Sequence, residues 1–362
     1  MPAAFHFLRH LRLAITACSL GCITPQMFAG DWPNWRGPSF NGSNDGESHL
    51  PDRWSKTENV CWVVPLPAKS GATPIIYGDS VFIASPDEEK NLLLLCFDAP
   101  TGKERWRQIV ATGDQDYDKN NMAAPSPVTD GKIVATMFGT GDLAAYDFAG
   151  RQLWKRNLAQ EFGKFAIGYY YASSPLLYEG HLYVQVLQRS DPRTYPHSTD
   201  DKPKRDSFLL CLDPQTGKEQ WRSIRETDAS GEAQEAYTTP FPYAGTHGTE
   251  IIVYGAGYLT SHDPKTGKEF WRCGSLNPDK SSLWRTICSA VPGPGLIYAC
   301  VPRVKSPMLV IKPDGAGALS PATHTAWQME KNSSDVSTPL LYDGRLYVLD
   351  GGRRLMTCLD AK

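Results

Sequence analysis

Short apolar runs alternate with turn residues along most of the chain. "TPIIYGDSVFIA" from Thr73, "SPVTDGKIVATM" from Ser126, "SPLLYEGHLYVQ" from Ser174 and "TPLLYDGRLYVL" from Thr338 share one order. Each begins with Ser or Thr and Pro, then gives an apolar strand, a Gly or Asp turn and a second apolar strand. Two apolar runs around so tight a turn predict a β-hairpin. "TPFPYAGTHGTEIIVYG" from Thr239 is a stretched copy and "VPGPGLIYACV" from Val291 a compressed one.

A second element alternates with the hairpins. "CFDAPTGKERW" ends at Trp106, "AYDFAGRQLW" at Trp154, "CLDPQTGKEQW" at Trp221 and "SHDPKTGKEFW" at Trp271, and a weaker copy runs from Ile311 to Trp327. In the four clear copies Gly stands four residues before Trp, and Asp three or four before Gly. The Asp carboxylate accepts backbone N–H bonds within the turn, and Gly supplies positive φ. A nucleotide phosphate loop needs a Gly-x-x-x-x-Gly-Lys-Ser/Thr run before a helix, and these stretches lack it. The element therefore predicts a third strand, a turn and a fourth strand carrying the Trp.

Four strands recurring at about fifty residues predict an all-β fold, a β-propeller with one four-stranded blade per unit. Trp106, Trp154, Trp221, Trp271 and Trp327 are then the residues packed between blades. About six units are visible. "ENVCWVVPL" (residues 58–66) reads as a Trp strand without its own preceding strands, so Trp62 is expected to pair with strands from the far end of the full-length chain. The sixth unit stops just after Asp360, inside its turn. Two expectations follow: a six-bladed ring closed by residues 58–66, or a longer propeller shortened at its C-terminus. Cys96, Cys211 and Cys358 each stand two residues before the turn Asp, where other copies have Ala145 and Ser261. Cys exchanging with Ala and Ser marks a small buried slot and gives no metal-ligand cluster.

Charge narrows the function classes. Lys+Arg at 37 against Asp+Glu at 39 leaves a net charge of -2, with no electrostatic footprint for nucleic acid. Residues 1–29 read as a targeting segment: Arg9 and Arg12, a short apolar run from Leu13, and a cleavage site at Ala29. A lipoprotein-type signal ending at Cys18 or Cys22 is the alternative, so the protein is expected to be exported, free in the periplasm or anchored at its N-terminus. No segment has the ~18 apolar residues of a spanning helix. The expected organisation is a signal peptide at 1–29, an N-terminal extension at 30–57 and the propeller at 58–362.

The Leu210-to-Trp221 stretch and its sister copies resemble the repeat of the pyrroloquinoline-quinone (PQQ), or quinoprotein-like, β-propeller superfamily. "DWPNWRGPSFNG" (residues 31–42) and the stretch from Glu235 to Arg272 are similar to exported PQQ-like repeat proteins of planctomycete-type bacteria. The resemblance implies seven or eight blades. It also implies one of three roles: quinoprotein dehydrogenase, non-enzymatic scaffold such as BamB in outer-membrane protein assembly, or ligand-sensing domain. In the dehydrogenases PQQ sits at the propeller centre on a vicinal disulfide, with Ca²⁺ held by Glu, Asn and Asp. No two cysteines are adjacent here, no Ca²⁺ set maps onto this chain, and no cofactor or metal is expected.

Residues just before each inner-strand Pro should approach the channel mouth: Lys69, Asn121, Tyr170, Glu235 with Tyr237, Arg285 and Asp335. Aromatic, amide and both charge signs at one opening suit an envelope protein or a small polar ligand. The plainer reading is that these side chains satisfy one another at the rim. The charged insertion from Gln188 to Asp206 reads as a solvated loop, and His262, beside a turn Asp, as a turn hydrogen bond. The expected function is a non-enzymatic binding or scaffold module. A PQQ-dependent enzyme oxidising alcohols or sugars is the alternative.

Overall fold

The computed structural model describes residues 30–44, 46–47, 50–117, 120–191, 204–303 and 307–362. The expected targeting segment and most of the charged insertion lie outside the described residues. Among the described residues six sheets of three or more strands follow in chain order, each starting from a short inner strand: Ile75–Tyr77, Val128–Thr129, Leu176–Tyr178, Phe241–Gly245, Val291–Gly293 and Leu340–Tyr342. Sheets 1, 2, 3 and 5 have four strands, and sheet 4 gains a fifth, parallel one (Gly317–Leu319). The fold is a β-propeller. Middle strands such as Phe208–Leu212 are buried on both faces because neighbouring sheets cover them, whereas the outer strand Glu219–Ile224 alternates. That is why the middle strands read as unbroken apolar runs.

The repeated Ser/Thr-Pro has a structural job. The backbone N–H of Thr73 donates to the Ser126 hydroxyl (2.9 Å), Ser126 to Ser174 (3.0 Å), Ser174 to Thr239 (3.2 Å), Thr239 to Ser289 (3.1 Å) and Ser289 to Thr338 (3.1 Å). Five links thus stitch six inner strands together. Each hydroxyl satisfies a backbone donor that would otherwise be buried alone, at a cost of about 1–3 kcal/mol.

The Trp repeat stitches the sheets a second time, nearer the rim. The indole N–H of Trp62 donates to the Ala99 carbonyl, Trp106 to Phe148, Trp154 to Pro214 and Trp221 to Pro264, at 2.8 to 3.1 Å. Every acceptor lies in the Asp-to-Gly turn of the next sheet. Gly217 sits at φ +68, and a Cβ there would meet the Trp154 ring at 2.6 Å, so the turn needs Gly for both backbone and packing. Asp213 Oδ1 accepts from the Gln215 and Thr216 N–H groups, as the sequence indicates. The small slot is explained too. Cys96, Ala145, Cys211 and Ser261 each lie directly opposite the Trp of the adjoining outer strand.

Trp271 departs from the pattern. Its indole donates to Glu250 Oε2 (2.8 Å) within its own sheet, while the added strand Gly317–Leu319 pairs alongside it. Sheet 6 departs further. It has three strands, so Cys358 is exposed where its counterparts are covered. Residues 58–66 pair with no strand among the described residues; Trp62 docks on the Asp-to-Gly turn of sheet 1 as the other blade Trp residues dock on theirs.

Sheets 1 and 6 are instead joined by residues 31–43. Trp32 exchanges backbone hydrogen bonds with Ile76 of sheet 1 (2.8 and 2.9 Å), and the Pro33 carbonyl accepts from Thr129 of sheet 2. Phe40 packs edge-on against Tyr178 of sheet 3. Arg36 donates to the Pro339 carbonyl of sheet 6, and Leu341 N–H donates to the Asn41 carbonyl. A small cavity of about 20 Å³ between this segment and Pro175, Pro240 and Ala290 shows it lying across the inner strands. Loss of water around the guanidinium pulls the Arg36 pKa down to about 10.

Candidate functional site

The topology sends structure to two ends. Hairpin turns and Asp-to-Gly turns gather at one end, where residues 31–43 also enter beside Gly78. Connections between sheets and the loops between second and third strands gather at the other, the mouth. All the long connections are therefore on the mouth face, the usual place for contacts on a rigid scaffold.

Four of the sequence-predicted residues come together there. Glu235 is wholly buried; its Oε2 accepts from Gly168 N–H and from the Tyr237 hydroxyl (both 2.9 Å), and its Oε1 pairs with Arg189. The Tyr237 oxygen also accepts from Tyr169 N–H (3.1 Å). Burial, reinforced by the Glu235 charge, pushes the Tyr237 pKa well above its ordinary value. Arg285 lies 4.8 Å over the Tyr169 ring and donates to Glu232 (2.5 Å). Burial works against the Arg285 charge, but Glu232 outweighs it and raises the pKa. Tyr170 completes the wall, its hydroxyl bonded to Gln115 (3.0 Å).

The other three sit apart. Asn121 is buried and donates to the Lys69 carbonyl (2.6 Å), while the Lys69 side chain is exposed. Asp335 accepts from Arg303 N–H (2.8 Å) beside sheet 6. Arg189, Tyr169 and Glu232 are members that sequence reasoning missed. Arg189 was read as part of a solvated insertion, and nothing in its spacing marks it as the partner of Glu235, 46 residues on. Exposed Leu283 and Val336 flank Arg285 and Asp335 on this face.

His262 holds its turn. Its Nδ1 lies 3.2 Å from the Gly267 carbonyl and its Nε2 3.0 Å from Thr260 Oγ1. Burial lowers its pKa from 6.5 to about 4. The folded state thus keeps it neutral where the unfolded chain takes a proton, so its contribution is full above pH 6.5 and lost as pH falls toward 4. Urea midpoints at about pH 7 and about pH 4.5 should separate more in the native chain than in His262→Gln. Equal separations would remove His262 from the acid response.

The calcium–quinone group implied by the resemblance does not fit these residues. No cysteines are adjacent, and among the described residues no group of three or more His, Cys, Asp or Glu could hold a metal ion. Both Glu235 oxygens at the mouth are already engaged. No step is derived through that group. Among the described residues no helix is long and apolar enough to cross a membrane.

A family model described as outer membrane protein assembly factor BamB matches residues 53–189 and 90–287, more than half of the chain. No curated protein matches it. Among solved structures, BamB from Moraxella catarrhalis is similar with a TM-score of 0.52 and 16% identity, over 83% of this chain and 76% of that one. A quinohemoprotein alcohol dehydrogenase from Pseudomonas putida HK5 gives 0.48 and 13%, over 79% of this chain and 51% of that one. Another, from Comamonas testosteroni, gives 0.46 and 13%, over 76% and 62%. At such identities the likeness speaks for the fold alone. The docked Trp repeat and the family match agree, and the chain belongs to the BamB-like PQQ-repeat family of β-propellers.

Proposed function

We propose that the chain is a non-enzymatic, exported scaffold that docks an envelope protein on its mouth face. The observation that carries this reading is the division between the two ends. One is built from tight turns and the segment 31–43, whereas the mouth collects every long connection and presents Leu283 and Val336 beside Arg285, Arg303 and Asp335. Exposed apolar groups rimmed by Arg and acid are the composition of a protein interface. The internal pairing of Glu235, Tyr237 and Arg189 supports a rigid platform under that surface.

The test is photo-crosslinking in cells of the source organism. A photoreactive residue at Leu283 or Val336 should trap one discrete envelope protein, and the same probe at Lys265 among the opposite turns should not. Purified protein given PQQ and Ca²⁺ should show no dye-linked oxidation of alcohols or sugars. Stoichiometric PQQ binding with turnover would replace the scaffold reading by the dehydrogenase one.

A further inference from the structure

A groove of about 410 Å³ opens on the mouth face between sheets 2 and 3. That lies within the range of small-molecule sites, about 300–1,000 Å³. Its chemistry is distinctive. The walls carry Tyr170 and Phe165, and the polar groups are the amides of Gln115, Asn157 and Gln160 with the ammonium of Lys164. Among the described residues the lining holds no carboxylate.

Each amide has hydrogen-bonding capacity left over. Asn157 uses its oxygen on Gln160 N–H, and Gln115 uses its oxygen on the Tyr170 hydroxyl, so both keep their NH₂ donors. The Gln160 side chain has no partner among the described residues. Tyr170 sits at φ +64, a backbone state that costs a non-Gly residue energy and persists only when its surroundings hold it. Here the hydroxyl bond to Gln115 and the Asn120 amide on the Tyr169 carbonyl (2.6 Å) hold it.

We propose that this groove binds a neutral oligosaccharide, with Tyr170 and Phe165 against the sugar faces and Gln115, Asn157 and Gln160 bonding its hydroxyls. Ring faces satisfy the apolar side of a sugar, while uncharged amides meet hydroxyls as both donors and acceptors. One Lys without an Arg fork is a poor match for a phosphorylated ligand. An extended peptide held by strand addition needs a free sheet edge; this lining is loop, turn and helix with the strand end Asn157.

The inference stands apart from partner docking at Leu283, and its test separates the two. The full mature chain is titrated calorimetrically with maltohexaose, cellohexaose and chitohexaose. One of them should bind, and Tyr170→Ala should weaken it about tenfold, the loss of one stacked ring. Gln160→Ala, at an exposed helix position that no described bond holds, guards against misfolding and should weaken binding severalfold with an unchanged melt. Binding by none of the three, or binding indifferent to both substitutions, would overturn the site. So would an unstructured peptide that binds with the same dependence on Gln160. Crosslinking from Leu283 should persist in either variant.

Discussion

Trp154→Ala is expected to lower the free energy of unfolding by about 3–5 kcal/mol, the loss typical of a buried Trp. Trp154 is 9% exposed, faces Ala145 across the strand pair, covers Gly217 of sheet 3 and donates its indole N–H to Pro214. Truncation removes the ring from one sheet and the lid from the turn of the next. The cavity has little means to collapse, because Gly217 and Ala145 are already the smallest residues that fit. Trp327 is the internal control. It holds the equivalent place in sheet 5, but its indole N–H has no acceptor among the described residues and the ring is only half buried. Trp327→Ala should cost about 1–2 kcal/mol, near the centre of point-mutant effects. Urea midpoints of the two variants decide the matter. Equal losses would mean that docking on the neighbouring turn adds nothing to ordinary burial.

Glu235→Ala should cost a similar amount, about 3–5 kcal/mol, for a different reason. Glu235 is wholly buried and its partner Arg189 is only 14% exposed, so deletion takes a carboxylate away from a guanidinium in a water-poor setting. It also withdraws the acceptor from Gly168 N–H and from the Tyr237 hydroxyl. Removing both charges together costs less than the sum of the separate losses, because neither is then left behind. The cycle Glu235→Ala, Arg189→Met and the double variant, followed by urea unfolding, measures that coupling. Additive losses would show that the pair is not energetically joined, and the rigid platform beneath the mouth would lose its support.

These two residues differ in how visible they are in sequence. Trp154 belongs to a repeat, and its role follows from Gly four residues earlier and Asp before that. A repeat multiplies one local rule, so turn, strand order and packing Trp are legible together. The Cys slot is legible for the same reason, since Cys96, Ala145, Cys211 and Ser261 all face a Trp. Glu235 is legible only as a position near the mouth. That its carboxylate belongs to Arg189 and its neighbour Tyr237 to Tyr169 depends on how loops from two sheets fall against each other. Those loops do not repeat, and no period predicts them. The grouping of Lys69, Asn121 and Asp335 with Tyr237 and Arg285 was too broad for the same reason: one end of a propeller is wide, and each connection finds its own neighbours.

The Ser/Thr before each inner Pro carried more than its local turn chemistry suggested. It is visible as part of a repeat, yet its hydroxyl serves the preceding sheet and not its own.

Sequence by itself determined the all-β class, the four-stranded unit, its turns and the Trp register, because these rest on contacts within about fifty residues that recur. Tertiary structure alone decided how the ends are used. It laid residues 31–43 across the inner strands and tied Arg36 and Asn41 to sheet 6. Each of those contacts joins stretches far apart in the chain and occurs once. Local pattern carries no information about such a pairing until the sheets are stacked and the space between them exists.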